Sequence, residues 1–285
     1  MVQIPVGQYY SPTSVASGGV AFQPLLAGST DVSATIPGFI ATAQATRTAV
    51  VSQPGIGVVV SYNLGSGLQD YSAGYDYVSL GAANHGGVTV TLTSSDQAVA
   101  LLSPDGVTPG AGSINVPVAN GTSFFYFRVQ GVEGQTGTVT ITAAAAGFSN
   151  GTTTATVVPP AVELQGVPSS TTTLSGPTPF YAQVGLPNGN NTGLSVVQSV
   201  RAGAPGPLTV TVTSSVPAVG TLVVTAGPGS PQTVQIPVGQ YYSPTSVASG
   251  GVAFRPLSIG STVVAVNIPG FIQMITNGVR TVTVN

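Results

Sequence analysis

The chain has 285 residues, of which only 12 are charged: five Arg and seven Asp or Glu, with no Lys, no Cys and a single His. A typical soluble domain carries roughly 25% charged residues. The 4% found here excludes a basic nucleic-acid-binding stripe, Lys chemistry and thiolate sites, and it leaves almost no titratable groups for acid–base catalysis. Hydrophobic residues make up 42% and the net charge is −2, a composition with cores to build and not that of a disordered chain.

The first segment, Val2 to Ile40, recurs as Val234 to Ile272. Its first 21 residues, Val2 to Phe22, return unchanged, and 32 of the 39 positions match. A second mark of repetition is Gly-Phe after a strand-like run, at Gly38-Phe39, Gly147-Phe148 and Gly270-Phe271. Those spacings, 109 and 123 residues, make up the 232-residue period, so the basic unit is a domain of about 110–120 residues and the long period covers two of them. In that phase residues 1–52 read as the C-terminal half of a domain, about four strands without the strands that should precede them. A preceding repeat or a neighbouring subunit is expected to complete it. Met1 to Pro5 has no basic leader character, which is expected of a mature form or an excerpt from a longer chain. Within this segment Gln8 to Gly19, with the pair Tyr9-Tyr10, reads as a long inserted loop, since the middle unit has only Ala119 to Ser123 at that place.

Residues 53–158 read as a complete unit. Val88-Thr89-Val90-Thr91-Leu92 and Thr138-Val139-Thr140-Ile141-Thr142 alternate with period two, as half-buried strands do. The Ala143 to Ala146 run continues a strand into the Gly147-Phe148 corner. Asp70 and Asp76 are the one close pair of acids, but a Ca²⁺ site wants several oxygen ligands and no D-x-D-x-D run exists. The seven acids are therefore expected to be solvated loop residues. Tyr71, Tyr75 and Tyr77 cluster beside that pair and, with the loop pairs Tyr9-Tyr10 and Tyr241-Tyr242, are candidate packing, assembly or sugar-stacking contacts. His85, in Ala83-Asn84-His85-Gly86-Gly87, is expected to be a turn residue of a type that tolerates unusual backbone angles, not a catalyst. Asn120, Asn150 and Asn190 begin N-x-Ser/Thr sequons and are candidate glycosylation sites.

Residues 159–285 read as a second complete unit carrying the long loop again, now with Tyr241-Tyr242. Val158-Pro159-Pro160 is expected to stiffen the joint between the units. Thr213-Ser214-Ser215-Val216-Pro217-Ala218-Val219 echoes Thr93-Ser94-Ser95-Asp96-Gln97-Ala98-Val99, each after an alternating strand. About seven short strands per unit, with turns every 8–12 residues, is the pattern of an immunoglobulin-like sandwich. The fold class is thus all-β, tandem immunoglobulin-like β-sandwiches, with aliphatic cores because Cys and Trp are absent.

Val88 to Val158, through VTVTLTSSDQAVALLSPD, INVPVANGTSFFYFRVQG and GTVTITAAAAGFSNGTTTATV, resembles the bacterial Ig-like repeats of large microbial surface proteins. The resemblance extends over the chain as about two and a half repeats, and its motifs are patterns of strand and turn. It implies a stalk, spacer or adhesive module, extracellular or at the cell surface, and no enzyme. The expected partners are copies of the chain itself or adjacent repeats, with glycans as an alternative through the Tyr-rich loops. No cofactor, no metal, no nucleic acid and no membrane insertion are expected. So sparse a set of charges suits lateral or axial packing into a filament or sheath, or a surface covered by glycans.

Overall fold

The computed structural model describes residues 1–61, 63–71 and 76–285. The chain divides into two compact units, Met1–Pro54 and Gly55–Asn285. The first holds one antiparallel hairpin, β1 (Gly28–Ser33) and β2 (Thr46–Val51), paired from Gly28↔Val51 to Ser33↔Thr46. A single 3-10 turn, Val15–Ser17, precedes it, capped by the Ser14 side chain and closed by Gly18 at φ +89°.

The regular structure of the second unit is nearly all strand. Its first part runs β3 (Ile56–Val59), β4 (Leu64–Gly65), β5 (Leu68–Asp70), β6 (Tyr77–Leu80), β7 (Val88–Ser94) and β8 (Ala100–Ser103). It continues through β9 (Ser113–Val118), β10 (Phe124–Tyr126), β11 (Arg128–Gly131), β12 (Gly137–Ala144) and β13 (Gly151–Val158). There follow β14 (Ala161–Gln165), β15 (Ser170–Thr171), β16 (Thr178–Pro187), β17 (Leu194–Val200), β18 (Leu208–Ser214) and β19 (Gly220–Val224). The last are β20 (Gly227–Gly229), β21 (Gln232–Ile236), β22 (Val252–Pro256), β23 (Gly260–Asn267), β24 (Ile272–Gln273) and β25 (Val279–Val284).

Two sheets repeat one topology, β4-β13-β12-β7-β9 and β15-β25-β23-β18-β21, each begun by a short strand parallel to the last long one. Alternation decides which way these strands face. In β18 Val210 and Val212 are fully buried while Thr209 and Thr213 point to solvent, and β7 repeats the pattern with Val90 and Leu92 inside. β-Branched Thr and Val suit this pleated, half-buried surface. Opposite them lie β10-β6-β3 and a long sheet, β20-β19-β22-β16-β17-β5-β11-β8.

The packed faces enclose two cores, so the molecule has tandem immunoglobulin-like sandwiches. One core gathers side chains between Ile56 and Val157 around Phe127, Leu92 and Ile141. The other gathers side chains between Val162 and Val284 around Phe180, Phe254 and Ile236, and takes in Leu68 from the first sandwich. At roughly 25 cal/mol per Å² of apolar surface, such side chains contribute about 1.5–3 kcal/mol each.

The Gly-Phe motif marks one recurring turn. Phe39, Phe148 and Phe271 donate their N–H to Ile36, Ala145 and Ile268, and Gly38, Gly147 and Gly270 hold φ of +84°, +83° and +83°. That is the third position of a type II turn, which glycine fills without strain, and Pro37 and Pro269 pre-set the position before it.

Candidate functional site

A connected set of buried polar contacts lies at the seam between the two sandwiches. β17 leaves β16 at Val197 and pairs β5 of the first sandwich through Gln198↔Asp70, Ser199↔Gln69 and Val200↔Leu68. One sheet therefore runs through both sandwiches. Leu68, fully buried, crosses the seam into the second core.

Around that strand pair lie three buried glutamines whose amide groups are all used. Gln69 Oε1 accepts from Ala202 N at 2.9 Å and from Gln130 Nε2 at 2.9 Å, and its Nε2 donates to Gly106 O at 2.7 Å. Gln130 Oε1 accepts from Gly110 N at 2.9 Å. Gln198 Oε1 accepts from Gly65 N at 2.7 Å, and its Nε2 donates to Asn63 O at 2.8 Å. Neutral amides suit the place, because buried charge would need pairing and buried polar atoms left unmade cost about 1–3 kcal/mol each. At the rim Arg201 grips Glu133 with both ends of its fork, Nε to Oε1 at 2.8 Å and Nη2 to Oε2 at 2.6 Å. Close approach is required as well: a Cβ on Gly203, which holds φ +76°, would lie 2.7 Å from Pro109 Cβ.

The long loop adds a second fastening. Its residues continue the sheet: Gly239 N donates to Val200 O, Val200 N to Gln240 O, Val184 N to Tyr241 O and Ser243 N to Ala182 O. Ser243 is fully buried and returns the bond, its Oγ accepting from Ala182 N. Tyr241 meets Tyr71 of the first sandwich edge-on at 4.6 Å, Tyr242 at 4.8 Å, and Tyr242 meets Tyr181 at 5.8 Å. Partial burial, then the neighbouring phenols of Tyr71, Tyr242 and Tyr181, push the Tyr241 phenol above its ordinary value.

The structure thus brings Tyr71, Tyr241 and Tyr242 together. Tyr77 stands apart on β6, half-buried between Val59 and Tyr126. Tyr9 and Tyr10, of the first unit, pack on each other at 5.0 Å and remain exposed. Tyr75 lies outside the described residues. Asn120, Asn150 and Asn190 are all exposed, with Asn120 Oδ1 accepting from Gly86 N.

The expectation for the acids needs correction. Asp70, Asp76 and Glu163 are not solvated loop acids: all three are buried. Glu163 ties the second sandwich together by accepting from Gln165 Nε2, Gln183 Nε2, Leu194 N and Asn277 Nδ2. Asp76 accepts from Ser61 N and Val129 N, yet burial outweighs those bonds and, with Asp70 nearby, lifts its carboxyl to about 6 against the pull of Arg128. Among the described residues no three acid, His or Cys side chains gather as a metal group.

His85 holds no left-handed backbone; Gly86 and Gly87 take those angles, at φ +75° and +94°. Its Nδ1 accepts from Gly87 N, so its Nε2–H faces Thr122 O at 2.9 Å, and both nitrogens are used by backbone.

The fastening of the two sandwiches does not reside in the Pro159-Pro160 link alone. It is made by Leu68, Gln69, Gln130, Gln198 and Arg201, none of which stands out in the sequence. The one available signal was polar residues, Gln198 and Ser199, interrupting an otherwise apolar strand end, Val196 to Val200.

No protein family matches the chain, and no curated protein sequence does. Similar solved structures include the Yersinia pseudotuberculosis adhesin InvE, at 16% identity over 82% of this chain and 59% of that one, with a TM-score of 0.24. Domains 5–6 of the S-layer protein SbsC align at 17% identity over 81% of this chain and 98% of that one, TM-score 0.27. The Escherichia coli adhesin FdeC aligns at 16% identity over 91% and 74%, TM-score 0.25. Likeness at this level carries neither fold nor function, and the fold stands on the strand pairings above.

Proposed function

We propose that the chain is a structural repeat module of an extracellular microbial surface protein, a stiff spacer in a stalk, filament or sheath. The observation that carries this reading is the seam: a sheet continuous through two sandwiches, plugged by Leu68 and locked by satisfied glutamines. A joint so built resists bending, which is what a spacer needs and what a hinged receptor or an enzyme does not. The return of Val2 to Ile40 as Val234 to Ile272, a shift of 232 residues, supports a repeat unit two sandwiches long. The sparse charge favours contact with further copies, or cover by glycans at Asn120, Asn150 and Asn190. No helix among the described residues is long and apolar enough to cross a membrane.

Electron microscopy of material taken from its native source tests the proposal. Ordered fibres or sheets with a regular axial repeat are expected. Dispersed single particles at high protein concentration, free of glycan, would overturn the polymer reading.

A second reading, adhesion, is favoured by one observation. Phe124 and Tyr126 project side by side from the edge strand β10, each about half exposed, with rings 5.7 Å apart. The rings meet edge-to-face at 78°, so one exposed ring face offers a stacking surface for a sugar. Glycan-array binding lost on Tyr126→Ala would support adhesion, and an array without signal would remove it.

A further inference from the structure

Residues 2–52 expose the face that their own second copy buries. Val20 and Phe22 are 74% and 49% exposed, whereas the corresponding Val252 and Phe254 are both 0% exposed. Val2, Ile4, Val32 and Ile36 repeat the contrast against buried Val234, Ile236, Val264 and Ile268.

The local structure of the first copy is nonetheless already that of the second. The 3-10 turn Val15–Ser17 matches Val247–Ser249, with the same Ser cap and a left-handed Gly closing each. The β1–β2 hairpin begins at Gly28↔Val51, and the β23–β25 hairpin begins at Gly260↔Val284. What differs is the cover. In the second copy the hairpin lies between β18 and β15, β21 is paired with β18, and β22 lies between β16 and β19.

The positions that changed between the copies agree with a shared cover. Of the seven differences, four fall on residues exposed in the second copy (Arg255, Ser258, Ile259, Asn267) and two on half-buried ones (Val263, Ala265). One falls in the core, where buried Val266 is replaced by Ala34. Every other core-facing residue from Val2 to Ile40 is kept, as packing against one kind of surface requires.

We infer that residues 2–52 are a docking half-sandwich whose partner is a polypeptide of the sequence type of residues 159–233, a further copy of the repeat's first half that has no closing strands of its own. A second molecule of this chain is a poorer partner. Its residues 159–233 are already closed by residues 234–285, and displacing them would expose a face equal to the one covered. This inference rests on the internal repeat and stands whatever role the protein has at a surface.

The test extends the full chain by placing residues 159–233 directly before Val2, which recreates the junction Thr233–Val234. Hydrogen exchange is read at the amides of residues 28–33 and 46–51, with residues 260–265 and 279–284 of the same molecule as internal reference. In the unextended chain the first set is expected to exchange at least about 100-fold faster than the reference, and in the extended chain within about tenfold of it. Phe22→Asp in the extended chain should restore fast exchange at residues 28–33 and leave the reference slow. Should that variant fail to fold, Val20→Thr with the same readout replaces it. Fast exchange persisting in the extended chain, with the reference slow, overturns the inference. So does slow exchange in the unextended chain. If it is independent of concentration, the chain covers the segment itself; if it appears with a dimer in sedimentation, a second molecule does.

Discussion

Asp76 shows how a nearly uncharged protein treats the few charges it keeps. Its side chain accepts N–H groups from Ser61 and Val129 and still has its carboxyl raised to about 6, because desolvation outweighs two long hydrogen bonds. The groups facing it are Asp70, which adds to the rise, and Arg128, which opposes it. The sign for stability follows. In the unfolded chain the carboxyl titrates near 3.8 and in the fold near 6, so the folded state holds the proton more tightly. The stability linked to this group is full below about pH 4 and is lost as pH rises through about 6, by about 3 kcal/mol at roughly 1.4 kcal/mol per pH unit. Urea unfolding followed from pH 4 to pH 8 should show that decline. Asp76→Asn should flatten it, being less stable than the parent at neither end by more than a lost hydrogen bond. A parent chain whose stability rises over this range would contradict the account. Asp105 is the exposed opposite: the N–H groups of Thr108 and Val107 hold its carboxyl below the usual range.

At the scale of elements, the inserted loop is a strand-like brace when its partner is present and an open loop when it is not. Ser243 and Ser11 occupy the same place in the two copies, but only Ser243 is buried, exchanging hydrogen bonds with Ala182. Ser243→Val should cost about 1–3 kcal/mol, since it leaves a buried N–H without its acceptor. Ser11→Val should fall within about 0.5 kcal/mol of the parent. Chemical denaturation of the two variants side by side checks the contrast, and equal effects would remove it. Tyr241→Ala should loosen the seam by removing ring contacts with Tyr71 and Tyr242, seen as faster exchange at residues 198–200 with residues 137–144 unchanged. The strands themselves were readable from alternation, as Val210 and Val212 against Thr209 and Thr213 show, and the Gly-Phe corners from turn chemistry. The seam was not. Gln69, Gln130 and Gln198 come from strands 61 to 129 residues apart, and no local pattern says that the first two will bond each other in the interior or that the third will reach Gly65 and Asn63. The acids misled for a related reason: a carboxylate in a loop-like sequence reads as solvated until the fold brings N–H donors to it, as it does for Glu163 and Asp76.

For the molecule as a whole, the question is whether residues 55–285 behave as two sandwiches on a string or as one cooperative body. Two separate cores would melt independently if only the Pro159-Pro160 link joined them. Here Leu68 is fully buried and belongs to the second core by contact although β5 belongs to the first sandwich, and β5 and β17 share a ladder. Unfolding either sandwich therefore strips a buried leucine and several buried amides of their cover, each worth about 1–3 kcal/mol, so the two sandwiches are coupled. A single calorimetric transition is expected for residues 55–285, with equal van't Hoff and calorimetric enthalpies. Leu68→Ala removes the plug at a cost of about 2–5 kcal/mol. Because part of that cost falls on the coupling, the variant's transition should broaden, with a van't Hoff enthalpy below the calorimetric one. Leu92→Ala, in the middle of the first core, should lower the parent's single transition and leave it single. Two transitions in the parent would show that the seam does not couple the sandwiches, and the stiff-spacer reading would lose the feature that supports it; an unchanged enthalpy ratio in Leu68→Ala would place the coupling in the shared ladder and the amides instead.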